Sequence, residues 1–304
     1  MLRTSLLWAS ENPFLAERLP RYRFVRKATK RFMPGETFDA AIGEALVLQE
    51  KGITTTTTLL GEHLNGLHEA DDVVAHYQED LRRIGELGLD MEISVKPTQI
   101  GMDFGVDEAR DRLAQLADST DALVWVDMEA SEYVDRTLEM FRSVKEEKGN
   151  VGLCIQSYLR RVEKDLEALM PLDPAIRIVK GAYNEPDSIA FPSKDDVDRS
   201  FVELTRTLLR ARKNGAQGRV VLGTHDPRMI EEATRIAFEL GLDKDHYEFA
   251  MLFGIQRDEQ ERLAQEGHQI RVLISYGSAW FPWYMRRLAE RPANLWFVAK
   301  QLVG

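Results

Sequence analysis

One cysteine in 304 residues, Cys154, leaves no disulfide to be made within the chain. It lies inside an apolar run, so it reads as a small packed hydrophobe in a reducing compartment rather than as a nucleophile. No apolar run approaches the ~18 residues of a membrane span. The opening stretch MLRTSLLWASENPF has no small-residue cleavage pattern, and a cytoplasmic protein is the expectation. An excess of positive charge is also missing. Forty Lys and Arg stand against 50 Asp and Glu, for a net charge of −10, so no nucleic-acid partner is expected. The local basic run RYRFVRKATKR at 21–31 reads first as a solvated helix face or a contact with the acidic remainder, and second as an anion contact. There is neither a GxGxxG nor a P-loop, so any nucleotide cofactor is held without a Rossmann element. The six histidines show no ligand spacing, and no metal is expected.

What the chain does have is a repeat of form. Eight runs of strand character occupy 54–60, 91–96, 122–127, 151–156, 176–180, 220–225, 247–252 and 270–275. Segments of helical periodicity separate them, clearest at 71–87, 106–116, 131–148, 195–214 and 227–240. Gly88, Gly149, Gly215 and Gly241 stand where left-handed C-terminal caps are wanted. Eight alternating units in about 250 residues predict a (β/α)8 barrel. Residues 1–50 are expected to form an N-terminal helical extension, with helices over 13–19 and 37–51 and a break at Pro34–Gly35; the barrel takes 51–304. After the eighth run the pattern changes to an aromatic and basic stretch that breaks near Pro292.

Most strand runs end on a polar residue, and in a barrel those ends converge on one mouth. Lys96, Asp127, Gln156, Lys180 and His225 are thereby expected to face one another. A lysine at such a position wants a partner or a function, either anion binding or a Schiff base. Asp127 beside Lys96 is a structural ion pair or a substrate-positioning one. His225 fits a base, a metal ligand or a stacking ring. Arg286 and Arg287 are surface arginines, or they grip one carboxylate bidentately if their helix end faces a cavity.

The motifs SVKPTQIG, VDMEAS, GLCIQSYLRR, RIVKGAY, GTHD, YEFAMLFG and RRLAERPAN, in this order, resemble those of proline dehydrogenase. The likeness extends to the monofunctional bacterial enzyme and to the matching domain of bifunctional proline-utilisation proteins. It runs from about Phe24 to the C-terminus, and RIVKGAY and RRLAERPAN carry most of it. It implies a distorted, FAD-binding (β/α)8 barrel with its last helix over the mouth. It implies oxidation of L-proline to Δ1-pyrroline-5-carboxylate by hydride transfer to flavin N5, with electrons passed to a quinone through a peripheral membrane contact. Position by position, Lys96, Arg286 and Arg287 would hold the proline carboxylate. Asp127 and Arg177 would be catalytic, the latter against the flavin. Met128, Gln156, Lys180, Gly181, Ala182, Thr224 and His225 would contact non-covalent FAD. Tyr183 and Leu252 would wall the proline ring, and Glu62 would gate the site with Arg286.

One departure stands out. The eighth run reads RVLISYG where the family has a pattern like RVYVPYG, so Leu273 replaces a tyrosine expected at the substrate ring and Ser275 a proline. Asn184 also follows KGAY where an aromatic is common. A preference for 4-hydroxyproline or another cyclic imino acid is therefore an alternative. A Schiff-base aldolase using Lys96 or Lys180, or a non-catalytic ligand-binding barrel, is the alternative of another class. No oligomeric state follows from the residues.

Overall fold

The computed structural model describes Asn12, Arg18, residues 29–281 and residues 283–285. The helix read at 13–19 (Arg18 aside), the basic residues before Thr29, Arg286, Arg287 and the segment beyond them lie outside the described residues. Eight parallel strands close into a barrel in sequence order. They are β1 Thr54–Leu59, β2 Met91–Val95, β3 Val124–Val126, β4 Val151–Gln156, β5 Ala175–Val179, β6 Val220–Gly223, β7 Glu248–Leu252 and β8 Gln269–Tyr276. Closure is made by β1 on β8, in register from Thr54↔Arg271 to Leu59↔Tyr276. The threonine run of β1 suits this place because β-branched side chains pack well on a pleated surface.

The helices are α1 Phe38–Gln49, α2 Leu67–Leu87, α3 Val106–Asp118, α4 Val134–Glu147, α5 Val162–Leu169, α6 Lys194–Lys213, α7 Pro227–Leu240 and α8 Arg257–Gln265. Ser193 caps α6 by accepting from Asp196 N–H, and Asp226 caps α7, which begins on Pro227. Gly88 and Gly241 close α2 and α7 in the left-handed conformation. Gly149 does not do so for α4. That helix ends on an extended Lys148, and Lys145 Nζ reaches the Gly149 carbonyl instead. No helix among the described residues is long and apolar enough to cross a membrane.

Helix α1 packs against both β1 and β8. It occupies the outer flank where a crossover helix between the last and first strands would lie, with the Phe38 ring 5.5 Å from that of Tyr276. The chain after β8 turns at Gly277 and packs on the segment before α1. Trp280 Nε1 donates to Glu36 at 3.1 Å, and the Tyr284 ring lies 6.1 Å from Phe32.

Strand alternation sends every second side chain into the barrel, and the inner floor is charged. Arg271 and Arg219 both bond the Glu248 carboxylate, Arg219 and Trp125 both bond Glu92, and Arg271 also donates to the Thr55 carbonyl. Glu92, Glu248 and Arg271 are buried, so each depends on the others for compensation; removing one partner of such a network costs about 3–5 kcal/mol. Gly152 on β4 makes room for the indole above this floor, since a Cβ there would fall 2.7 Å from the Trp125 ring.

Candidate active site

The period of two that places Glu92 in the floor places Ser94 and Lys96 above it on the same strand line. By the same count Asp127 rises above Trp125, Gln156 above Cys154, Arg177 above Ala175, and Leu273 above Arg271. At the mouth Ser94, Asp127, Arg177 and Lys96 form one cluster. Ser94 Oγ donates to Asp127 Oδ1 at 2.7 Å and accepts from Arg177 Nη2 at 2.9 Å. Arg177 also bonds Asp127 Oδ1 directly, and its guanidinium lies 5.0 Å from the Trp125 ring centroid. Lys96 Nζ stands 3.6 Å from Asp127 Oδ2. Arg177 and Lys96 are 6% and 8% exposed, so their charges act in a largely water-free space. Burial opposes the Arg177 charge, but the Asp127 carboxylate beside it outweighs this and holds its pKa above the ordinary value. Burial pushes the Cys154 thiol up, in keeping with an inert packed group.

Gln156 Nε2 donates to the Met128 carbonyl at 3.2 Å. Its Oε1 is buried and meets no donor among the described residues. The loop after β5 carries Gly181, Ala182 and Tyr183, all partly exposed. Gly181 has φ +111°, and a Cβ would fall 2.4 Å from the Tyr158 ring, so only glycine fits. After β6, Thr224 N–H donates to the Ala250 carbonyl, and His225 Nε2 accepts from Leu252 N–H at 3.0 Å. Leu252 and Leu273 are register partners and are half-buried.

Lys180 departs from the expected ring of facing groups. Arg177 and Val179 take the inner face, so Lys180 falls on the outer one. Its ammonium lies 2.5 Å from Asp198 on α6 and 2.9 Å from Asp226 at the start of α7. Burial works against those two carboxylates, but Lys180, Lys194 and Arg228 hold both below the usual range. Lys96 and Lys180 are both ion-paired, the reverse of the apolar or cationic setting that activates a Schiff-base lysine.

Two residues at this mouth escaped the reading of the sequence. Ser94 was legible, since alternation from Lys96 puts it on the inner face. Glu129 was not, because it lies in irregular loop after β3. It is buried and accepts from Thr98 N–H and Thr98 Oγ1. Glu62, in the loop after β1, is close enough to bear on it electrostatically. That loop is pinned at the rim by His63, 3.0 Å from Asp103, which also accepts from Tyr133. Among the described residues no group of three His, Cys, Asp or Glu side chains could hold a metal ion.

Comparison with known proteins gives consistent matches. The family model described as "Proline dehydrogenase" matches residues 41–300. "Proline dehydrogenase 1" of Bacillus subtilis subsp. natto is 35% identical over 306 residues, covering 100% of this chain and 99% of that protein. "Proline dehydrogenase" of Deinococcus radiodurans is 36% identical over 316 residues, covering 100% and 98%. Among solved structures, proline utilization A from Bdellovibrio bacteriovorus, inactivated by N-propargylglycine, superposes with a TM-score of 0.81 at 23% identity. That match covers 95% of this chain and 36% of the larger one, and it is a likeness of fold.

Proposed function

The chain belongs to the proline dehydrogenase family, and we propose that it oxidises L-proline to Δ1-pyrroline-5-carboxylate with non-covalent FAD and a quinone as final acceptor. The observation that carries this reading is the Ser94–Asp127–Arg177 cluster, in which Ser94 and Arg177 are buried, with buried Lys96 beside it. It offers two cations on a carboxylate-braced frame at the mouth of a barrel. Bound FAD supplies the acceptor for the hydride from C5 of proline and the store from which electrons pass to the quinone.

The residues present fit such a cofactor. The buried, donorless Gln156 Oε1 suits a ring N–H of a planar heteroaromatic group. Met128, Gln156, Gly181, Ala182, Thr224 and His225 would hold the cofactor. Lys180 enters this set through its main chain, because its ammonium is committed to Asp198 and Asp226. Lys96, with Arg286 and Arg287, grips the proline carboxylate and thereby fixes which ring carbon faces the acceptor. Arg177 stabilises negative charge that develops beside it during transfer. Asp127 orients Lys96, Ser94 and Arg177. Tyr183, Leu252 and Leu273 wall the ring, and Glu62 closes the entrance with Arg286. The quinone calls for a peripheral contact with the inner face of the membrane from the cytoplasm.

A second reading, 4-hydroxyproline or another cyclic imino acid as substrate, is favoured by Leu273, which leaves space where the family has a phenol. Both readings are tested by the cofactor. Purified protein should absorb in the blue and release intact FAD on denaturation. A colourless protein that cannot be reconstituted with FAD would refute them together.

A further inference from the structure

Lys96 is held from two directions. Its ammonium faces Asp127, while its backbone leads at once into the 3-10 turn Pro97–Ile100. That turn is tied to β1 by Gln99, whose Nε2 donates to the Leu59 carbonyl at 2.8 Å. It is tied to the loop after β3 by Glu129. Both oxygens of that carboxyl are used by one residue of the turn, Oε2 by Thr98 N–H at 2.9 Å and Oε1 by Thr98 Oγ1 at 2.8 Å. Glu129 is 3% exposed and lies two residues beyond Asp127. The loop after β3 thus grips the Lys96 turn at two points, with a carboxyl at each.

We propose that Glu129 is a positioning residue for Lys96, holding its turn against the Asp127 loop and setting, by its own charge, how strongly the mouth attracts a substrate's carboxylate. The proposal rests on the reading of Lys96 as a carboxylate grip. A neutral amide would serve as well as a mere tie, so the charge is the part that needs explaining. The groups that bear on it are Glu62 from the loop after β1, Lys96 and Thr98 from the turn after β2, and Tyr133 from the turn leading into α4; Asp127 stands two residues away on its own loop. Burial drives the Glu129 pKa upward against the two Thr98 bonds, and Glu62 adds to the rise against Lys96; the balance lies at about 7. Below that value Glu129 is neutral and the field of Lys96 meets one carboxylate fewer. Above it a second anion beside Asp127 opposes an incoming carboxylate. The coupling is reciprocal, so a bound carboxylate must raise the Glu129 pKa and draw in a proton near neutrality.

Calorimetric titration of the FAD-loaded full chain with cyclopentanecarboxylate tests this, because that probe keeps ring and carboxylate but has no amine to titrate. Wild type should lose affinity about fivefold or more as pH rises across the Glu129 transition. It should also take up a fraction of a proton on binding near pH 7, read from buffers of different ionisation enthalpy. Glu129→Gln can keep both Thr98 bonds, its carbonyl accepting the amide and its own N–H reaching the hydroxyl. It should bind with no pH dependence and no proton uptake. Thr98→Val removes one bond from the charged form and should move the inflection to higher pH. Persistent pH dependence in Glu129→Gln, or an unmoved inflection in Thr98→Val, overturns the proposal. Lys96→Met separates the two layers of the argument. If it binds the probe as wild type does, the carboxylate reading itself fails; if it binds weakly while Glu129→Gln still titrates, only the role of Glu129 fails.

Discussion

Lys96→Met is the substitution that separates substrate grip from scaffold. The ammonium is 8% exposed and its carboxylate partner, Asp127, is 3.6 Å away. Losing it does not strand Asp127, which keeps Arg177 and Ser94 as donors to Oδ1. The stem is replaced by a side chain of similar length, so the fold and the flavin content should stay close to wild type. In the proposed function Lys96 is the grip on the substrate carboxylate on this side of the site. A lost charge-assisted hydrogen bond costs about 2–3 kcal/mol, which is roughly a 30- to 150-fold fall in kcat/KM. If the carboxylate is gripped equally before and during hydride transfer, as the proposed function has it, most of the fall should appear in KM. Steady-state assays with L-proline and an artificial electron acceptor, on protein with measured flavin content, give the answer. An unchanged kcat/KM in flavin-loaded protein would place the carboxylate elsewhere and refute the reasoning.

Two further outcomes follow from the same structure. Leu273→Tyr puts a phenol on the inner face beside Leu252; it should shift kcat/KM toward proline over trans-4-hydroxyproline by about 10-fold, and equal selectivity in loaded protein would show that Leu273 does not meet the ring. Asp80 is buried beneath the Tyr276 hydroxyl with His76 at 3.6 Å, and burial raises its pKa from 3.8 to about 6. Its folded form holds the proton more tightly than the unfolded chain, so this stability is complete below 3.8 and is lost as pH rises through about 6. Denaturant titrations of Asp80→Asn should show that pH slope reduced, by at most about 2–3 kcal/mol over the interval; an identical slope would assign it to another group.

The strands were legible to within two residues at nearly every end, because each is a short apolar run bounded by turn residues and flanked by long amphipathic helices. The polar strand ends then marked Lys96, Asp127 and Gln156 as mouth residues, while Arg177, inside its run, was named only through the family resemblance. Lys180 misled because it follows an apolar run just as Lys96 does, yet on β5 alternation puts Arg177 and Val179 inside and turns Lys180 outward to Asp198 and Asp226. Helices α5 and α8 went unread, the first short and the second so polar that its buried stripe reduces to Gln260 and Leu263. Gly149 looked like its three counterparts, but a glycine after a helix caps it only if the chain turns left-handed there, and this chain leaves extended. Glu129 stood in the VDMEAS motif, but its role went unread for a different reason. Its importance comes from a partner 31 residues away, Thr98, and no local pattern encodes that meeting.

The central claim is that this barrel takes a hydride from L-proline. Anaerobic mixing of the purified, FAD-loaded protein with L-proline tests it in one step, by following the blue absorption of the flavin and trapping the product with an aromatic amino-aldehyde. The account predicts rapid bleaching, one Δ1-pyrroline-5-carboxylate formed per flavin reduced, and recovery of colour on adding a quinone. A protein that holds FAD yet keeps its full colour with both proline and 4-hydroxyproline would contradict it.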